Sequence, residues 1–371
     1  MNKVLIVGAG LAGATVARVL ADSGVGCHLI ERRHHIAGMC YASRDEETGI
    51  MIHRFGPHIF HTSDEKIWDF VNRFDAFYPW INRVKAINRH GVFSMPINLH
   101  TINQLFGMTL SPVKAREFIQ SKQDISIHDP QNAEEQLLRF VGREIYEAFF
   151  LGYTTKQWGV APCDLSAEII KRIPIRFNYD DNYYFSKYQG FPVSGYTRFV
   201  ERMLQHDLIT VETGCSFEKD MLDKYDHCFF SGPLDEFFDY SFGELGYRTV
   251  TFELERGIGD LQGNACINYT ELEIPWTRMH EHKYFTPWEN YEKSLIMREF
   301  SKEATRYDDR FYPKRMPLDI ILLNKYESLK KNYPNVTFIG RLGQYLYMDM
   351  DAVIKNSIYH AENLLKLLFN Y

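Results

Sequence analysis

No Cys-x-x-Cys pair occurs in this chain: its six cysteines (Cys27, Cys40, Cys163, Cys215, Cys228, Cys266) are scattered. That spacing argues against a thiolate metal knuckle or a disulfide framework, and a reduced, cytoplasmic chain is expected. Nowhere do 18 apolar residues run together, so no membrane span is expected. The opening MNKVLIVGAGLAG is apolar but broken by three glycines and followed by Arg18 and Asp22, without the pattern of a cleaved signal. Positive charge is not in excess: 42 Lys and Arg face 48 Asp and Glu, a net charge of −6. General nucleic-acid binding needs a basic footprint and is excluded as an expectation, whereas a local arginine cluster can still hold a small anion. Internal repeats, low-complexity tracts, a G-x-S-x-G elbow, a Cys–His pairing and a paired acid–base carboxylate motif are also missing. What is abundant is aromatic: 23 Tyr and 27 Phe bring the aromatic share to 15%. Such residues suit packed interfaces or pockets that stack a planar ligand. At 371 residues the chain predicts two or three domains.

The first 31 residues carry the most specific local signal. Val4–Val7 is an apolar run short enough for a buried parallel strand. Gly8, Gly10 and Gly13 then fit G-x-G-x-x-G, ATVARVLADSG continues as an amphipathic helix, and CHLIE reads as a second strand closed by Glu31. The glycines permit a tight turn, close approach to a pyrophosphate and tight helix–strand packing. The helix start supplies amides for phosphate, and Glu31 can accept from ribose hydroxyls. A lone glycine fingerprint can be an ordinary strand–helix turn, but the ordered context favours dinucleotide binding. After Glu31, RRHHIAGMCYA resembles the extended FAD signature, in which a basic residue (here Arg32) and a small pair follow the acid; Ala37-Gly38 stands where two glycines are usual. The late strand–loop–helix NVTFIGRLGQYLYMDMDAVIKNSIYHAENLL, with its helix expected from about Asp351, strengthens the FAD reading.

Between these ends the text changes character twice. The stretch 98–180 is mostly helical in pattern, as in AEEQLLRFVGREIYEAFFLGY and SAEIIKRI, the latter capped by Asp164-Leu-Ser166. From about 183 to 325 strand-like runs dominate: YRTVTFELE, GNACINYTE, KYFTP and SLIMREF. ITVETG and HCFFSGPLDEFFD read as strands returning to the first unit. The expected fold is α/β: a discontinuous Rossmann-like FAD-binding domain (1–75, 200–240 and 325–371) with two insertions. One is helical (98–180, with a mobile active-site loop near 168–180), the other an antiparallel sheet (78–96, 183–199 and 241–324).

Several motifs then occur together: GPHIFHT, GYTTKQWG, IIKRIPIRFNYDDNYY, YQGFPVSGYT, GNACINYT, IPWTRMHEHKYF, FYP and GRLGQYLYMDMD. In order and spacing, over nearly the whole chain, they resemble the bacterial UDP-galactopyranose mutases. The resemblance implies reversible ring contraction of UDP-galactopyranose to UDP-galactofuranose without net redox change. Reduced FAD is the active cofactor, its N5 attacking the anomeric carbon while UDP leaves. It also implies a cytoplasmic homodimer, an external reductant such as NAD(P)H or a flavin reductase, and a product for cell-surface polysaccharide.

The same resemblance assigns roles. Arg176 and Arg278 match two diphosphate-binding arginines, Arg176 on a loop that closes over substrate. Arginine suits the task because it stays protonated and donates in a bidentate fork. Arg248 and Arg341 match further pocket arginines, Arg341 on the cofactor side. Phe149, Phe150, Tyr153 and Trp158 match a uridine pocket with Asn82 and Asn268 as polar partners, although such a stripe on a helix also reads as core. Tyr183, Tyr312 and Tyr347 match tyrosines at the diphosphate and flavin; Asp349 and Met350 would approach the flavin, and Gly38 its nucleotide. Ser194, Trp276 and the segment 301–317 depart from the family text. They leave open another nucleotide sugar, such as UDP-N-acetylgalactosamine or dTDP-fucose, and an amine-oxidase-like oxidoreductase is a further alternative.

The stretch HRFGPHIFHT places His53, His58 and His61 close together. A metal site needs more converging ligands, and none is expected. With Gly56 and Pro57 shaping a turn, His58 is expected on the flavin side, His61 at the sugar and His53 in a structural place.

Overall fold

The computed structural model describes residues 3–170 and 174–369. Val4, Leu5 and Ile6 are fully buried in the strand Lys3–Val7. An apolar run of this kind is stable only with both faces covered, as in a parallel sheet. Five strands make that sheet, in the order Ile209–Thr213, Gly26–Glu31, Lys3–Val7, His227–Phe230, Val336–Phe338. Every neighbouring pair is parallel. ITVETG and HCFFSG thus return to the first unit as expected. The helix Leu11–Asp22 buries Val16, Ala17 and Leu20, and packs beside Tyr196–Leu204 and the C-terminal helix Met350–Phe369. Strand order reverses at Lys3–Val7, with Gly26–Glu31 on one side and His227–Phe230 on the other. Such a switch point opens a crevice beyond the carboxyl ends of the strands.

The second large sheet has seven strands, ordered Tyr312–Pro313, Tyr247–Ile258, Lys293–Glu303, Arg278–Glu281, Cys266–Tyr269, Val84–Asn88, Gly91–Met95. It is mixed rather than purely antiparallel. Cys266–Tyr269 runs parallel to Val84–Asn88, because the two belong to hairpin-like pairs made far apart in the chain. The expectation that 183–199 joins this sheet is corrected. Tyr188–Pro192 instead sits between Phe60–Thr62 and Phe77–Pro79 in a sheet of three strands. Phe60, Phe77 and Phe191 on those strands are buried in the core that covers the dinucleotide unit, which draws the strand there.

The helices Leu99–Phe106, Pro112–Lys122, Ala133–Val141 and Gly152–Trp158 form a separate core with Phe93 and Ile97. Tyr146–Leu151 winds as a wide π turn ahead of the last of them. Of SAEIIKRI, the described part is a single turn, Ala167–Ile169, capped by Ser166. Residues 171–173, inside the expected mobile loop, lie outside the described residues. Among the described residues no helix is long and apolar enough to cross a membrane.

Candidate active site

The glycine fingerprint builds one end of a continuous cleft from backbone. Gly8 turns with φ +100°, and a Cβ there would stand 2.1 Å from the Ser231 hydroxyl oxygen. Gly10 opens the helix without a side-chain cap, leaving its first amides to a ligand. Glu31, buried at the end of its strand, accepts from the amides of Ala9 and Arg33, each at 2.9 Å. A second turn, Ala37-Gly38, adopts left-handed backbone (φ +73° and +53°). A Cβ on Gly38 would come within 3.0 Å of the Gly10 Cα. Gly8, Gly10, Glu31, Arg32 and Gly38 all line the cleft. Gly13 does not; a Cβ on it would lie 1.9 Å from the Gly8 carbonyl oxygen, so its place is helix–strand packing. A loop stripped of Cβ atoms, an uncapped helix start and a buried carboxylate fit the diphosphate and ribose of a dinucleotide.

Side chains from distant segments build the other end: His58, His61, Arg278, Tyr312, Arg341, Tyr347, Asp349 and Met350 line it. The His58 Nδ1 donates to the Gly56 carbonyl at 2.7 Å, which leaves Nε2 unprotonated in the neutral ring. Burial, with the charge of Arg341, pushes His58 down to about 4. His61 stacks on Tyr184, 3.8 Å between centroids, and its Nδ1 meets the Ser186 hydroxyl at 3.0 Å. Burial also lowers His61, against the pull of Asp349 and Asp351. His53 lies outside the cleft lining, buried and stacked on Phe285, and its Nδ1 accepts the His58 amide at 3.2 Å. It therefore braces the turn that carries His58. Among the described residues no group of three His, Cys, Asp or Glu side chains converges as a metal site.

Arg278 is anchored by Glu299, whose Oε1 accepts from Nε at 3.1 Å and Nη2 at 2.6 Å. Burial works to raise Glu299, but Arg278 and His280 outweigh it and hold the carboxyl down to about 2. Tyr347 stacks near Tyr312, 6.1 Å between centroids, while the Arg341 guanidinium lies over the Tyr347 ring at 4.6 Å. Tyr347 donates to Asp349 at 3.3 Å. Tyr183 and Tyr153 lie outside the cleft lining, yet both feel the charge of Arg278.

Other expected residues are placed differently. Phe149 and Phe150 are buried in the helical core, Phe149 edge-on to Phe93 at 5.1 Å. Trp158 is half-buried against the same core. Arg248 is spent on structure. It donates to the carbonyls of Gln157 and Lys156 (2.9 and 3.2 Å) and to Ser301, closing the carboxyl end of the helix Gly152–Trp158. Arg176 does not line the cleft. It is 5% exposed, donates to the Asn182 and Asp180 carbonyls, and lies 4.0 Å from the Phe185 ring centroid. Asn82 is buried, its backbone oxygen accepting from Tyr183, and Asn268 sits opposite Arg278 in strand register.

Sequence reading missed Glu299, His280 and Tyr184, all on the cleft. Glu299 is the instructive one: an acid inside the apolar run SLIMREF needs a buried partner, but only strand register names Arg278 as that partner.

Comparison with known proteins completes the picture. Residues 148–347 match the family model described as UDP-galactopyranose mutase, and residues 6–74 that of an NAD(P)-binding Rossmann-like domain. A probable UDP-galactopyranose mutase of Klebsiella pneumoniae is 49% identical over 369 residues, covering 100% of this chain and 96% of the relative. A dTDP-fucopyranose mutase of Escherichia coli is 47% identical over 373 residues, covering 99% of each. Among solved structures, a reduced UDP-galactopyranose mutase superposes with a TM-score of 0.79 at 16% identity, over 99% of this chain and 94% of that one.

Proposed function

The chain belongs to the UDP-galactopyranose mutase family and is an enzyme of the isomerase type; on that premise we propose that it interconverts the pyranose and furanose rings of a nucleotide-linked hexose. The observation that carries this reading is the single cleft, with a dinucleotide cradle at one end and Arg278, held by Glu299, at the other. FAD is the proposed occupant, held by Gly8, Gly10, Glu31, Arg32 and Gly38, with Arg341, Asp349 and Met350 toward its ring. Reduced FAD, when bound, would supply a nitrogen nucleophile for displacement of the nucleoside diphosphate at the anomeric carbon.

The protein's own part is binding and charge. Arg278 meets the diphosphate with a fixed positive group whose orientation Glu299 sets. Tyr183, Tyr312 and, once its hydroxyl turns from Asp349, Tyr347 donate to phosphate oxygens while their rings keep water out. His58, neutral by burial, offers a lone pair rather than a charge, and His61 stands beside the sugar. Tyr153, Trp158, Asn82 and Asn268 serve the nucleobase, and Arg176 joins the diphosphate when its loop closes. The three-part division with helical and sheet insertions, a cytoplasmic homodimer, an external reductant and a cell-surface glycan as destination belong to the same reading.

UDP-galactose is the first substrate proposed. The near-equal identity to the dTDP-fucopyranose mutase favours dTDP-fucose as the second, ahead of UDP-N-acetylgalactosamine. The test is incubation of dithionite-reduced protein with UDP-galactofuranose, dTDP-fucofuranose and UDP-N-acetylgalactofuranose, with products resolved by chromatography. One pyranose is expected, without consumption of reductant. If all three sugars stay unchanged, or reductant or oxygen is consumed stoichiometrically, the reading fails and an oxidoreductase replaces it.

A further inference from the structure

Arg278 does not face the cleft with a lone counter-ion. Strand register places Arg278 opposite Glu299 and His280 two residues further along the same strand, so both side chains share one face of the sheet. Glu299 bridges them: one oxygen takes the Arg278 fork, and the other lies 3.4 Å from the His280 Nε2. Glu299 is 2% exposed and His280 3% exposed, and His280 itself lines the cleft.

We propose that His280 is a positioning residue that, by sharing Glu299 with Arg278, sets the orientation of Arg278 and the net positive charge met by the diphosphate. The inference rests on Arg278 as the diphosphate's anchor. With His280 protonated, the three groups sum to one positive charge; with it neutral, they sum to zero. Glu299 faces His280 from one neighbouring strand and Cys266 from the other, with Arg278 and His282 on its own segment and His53 beyond. Burial pulls His280 down, but Cys266 and Glu299 outweigh it and hold the ring above its ordinary value. Affinity for an anionic ligand therefore falls as pH rises through that titration, and by linkage the bound ligand raises the titration midpoint.

The experiment is calorimetric titration of the oxidised holoenzyme with UDP-galactose and dTDP-galactose from pH 6 to 9, in the unvaried protein, His280→Gln and Arg278→Ala. The unvaried protein is expected to lose about fivefold in affinity across the range, His280→Gln to show a flat profile, and Arg278→Ala to bind weakly throughout. Unchanged binding by Arg278→Ala, or no binding of either probe to the unvaried protein, overturns the Arg278 reading and this inference with it. Weak binding by Arg278→Ala with an unaltered pH profile in His280→Gln overturns the inference alone. Histidine NMR of the unvaried protein gives a measurement independent of the variant's folding. The His280 ring signal must titrate at higher pH when the probe is saturating, and an unmoved midpoint refutes the coupling.

Discussion

At the glycine end of the cleft the recognising surface is backbone from residues 8–38; at the arginine end it is side chain, drawn from segments spread between His58 and Met350. The first end is defined by what is absent, since Cβ atoms at Gly8 and Gly38 would strike neighbours, and one at Gly13 would push apart the helix and strand that support them. The second is defined by pairings such as Arg278 with Glu299 and Arg341 with Tyr347. A backbone cradle breaks when atoms are added, whereas a side-chain site breaks when a partner is removed.

The largest expected effect tests the first half of that contrast. Gly13→Ala puts a methyl into the Gly8 carbonyl, so helix and strand must separate. A loss of about 3 kcal/mol or more is expected, together with loss of bound dinucleotide on purification. A variant that keeps flavin absorbance and melting temperature removes the packing argument. Next comes the second half: Arg278→Ala is expected to lower turnover about a hundredfold or more while flavin stays bound. Unchanged rates place the diphosphate elsewhere.

Arg248→Met sharpens the contrast between two arginines of one sheet. It leaves helix-end carbonyls without a donor, so about 2 kcal/mol of stability is expected to go, with probe affinity unaltered. A change in affinity at constant melting temperature returns Arg248 to the site. A comparable effect, over the window between pH 7 and 5, concerns acid. Burial pushes His53 down to about 3 from its ordinary 6.5, so the unfolded chain takes up a proton that the folded chain refuses. Stability is full above pH 6.5 and falls on acidification toward pH 3, by about 1.4 kcal/mol per pH unit from this group. His58, His227 and His282 are depressed in the same way, so His53→Gln should reduce the acid slope by one group's share in melts between pH 7 and 5; an identical slope assigns acid lability to the other groups. The smallest effect is at Ala37, a left-handed residue at φ +73°. Ala37→Gly relieves that strain and frees the unfolded chain, for a net gain of about 0.5 kcal/mol or less. A fall in melting temperature counters the strain argument.

These contrasts also explain what the sequence could tell. The strand, glycines, helix and Glu31 lie within one short segment, so their geometry is written locally. Residues such as Arg278, Tyr312 and Asp349 were legible only through likeness to a family, because their meeting depends on sheet register. Glu299 and His280 escaped even that reading. For Arg248 and Phe149 the sequence does not separate the readings, because an arginine or phenylalanine near a site looks the same whether it meets a ligand, a helix end or the core. The mixed sheet was missed because alternation marks a strand without naming its neighbour.

That parallel neighbour has a consequence for synthesis. The hairpin Val84–Met95 meets Cys266–Tyr269 only after roughly 180 further residues have been made. At ribosomal speeds of about 5–20 residues per second, one edge of that hairpin waits on the order of ten seconds or more for its partner. Until then the nascent chain carries an open strand edge, and the order of translation decides when the ligand-facing sheet can close.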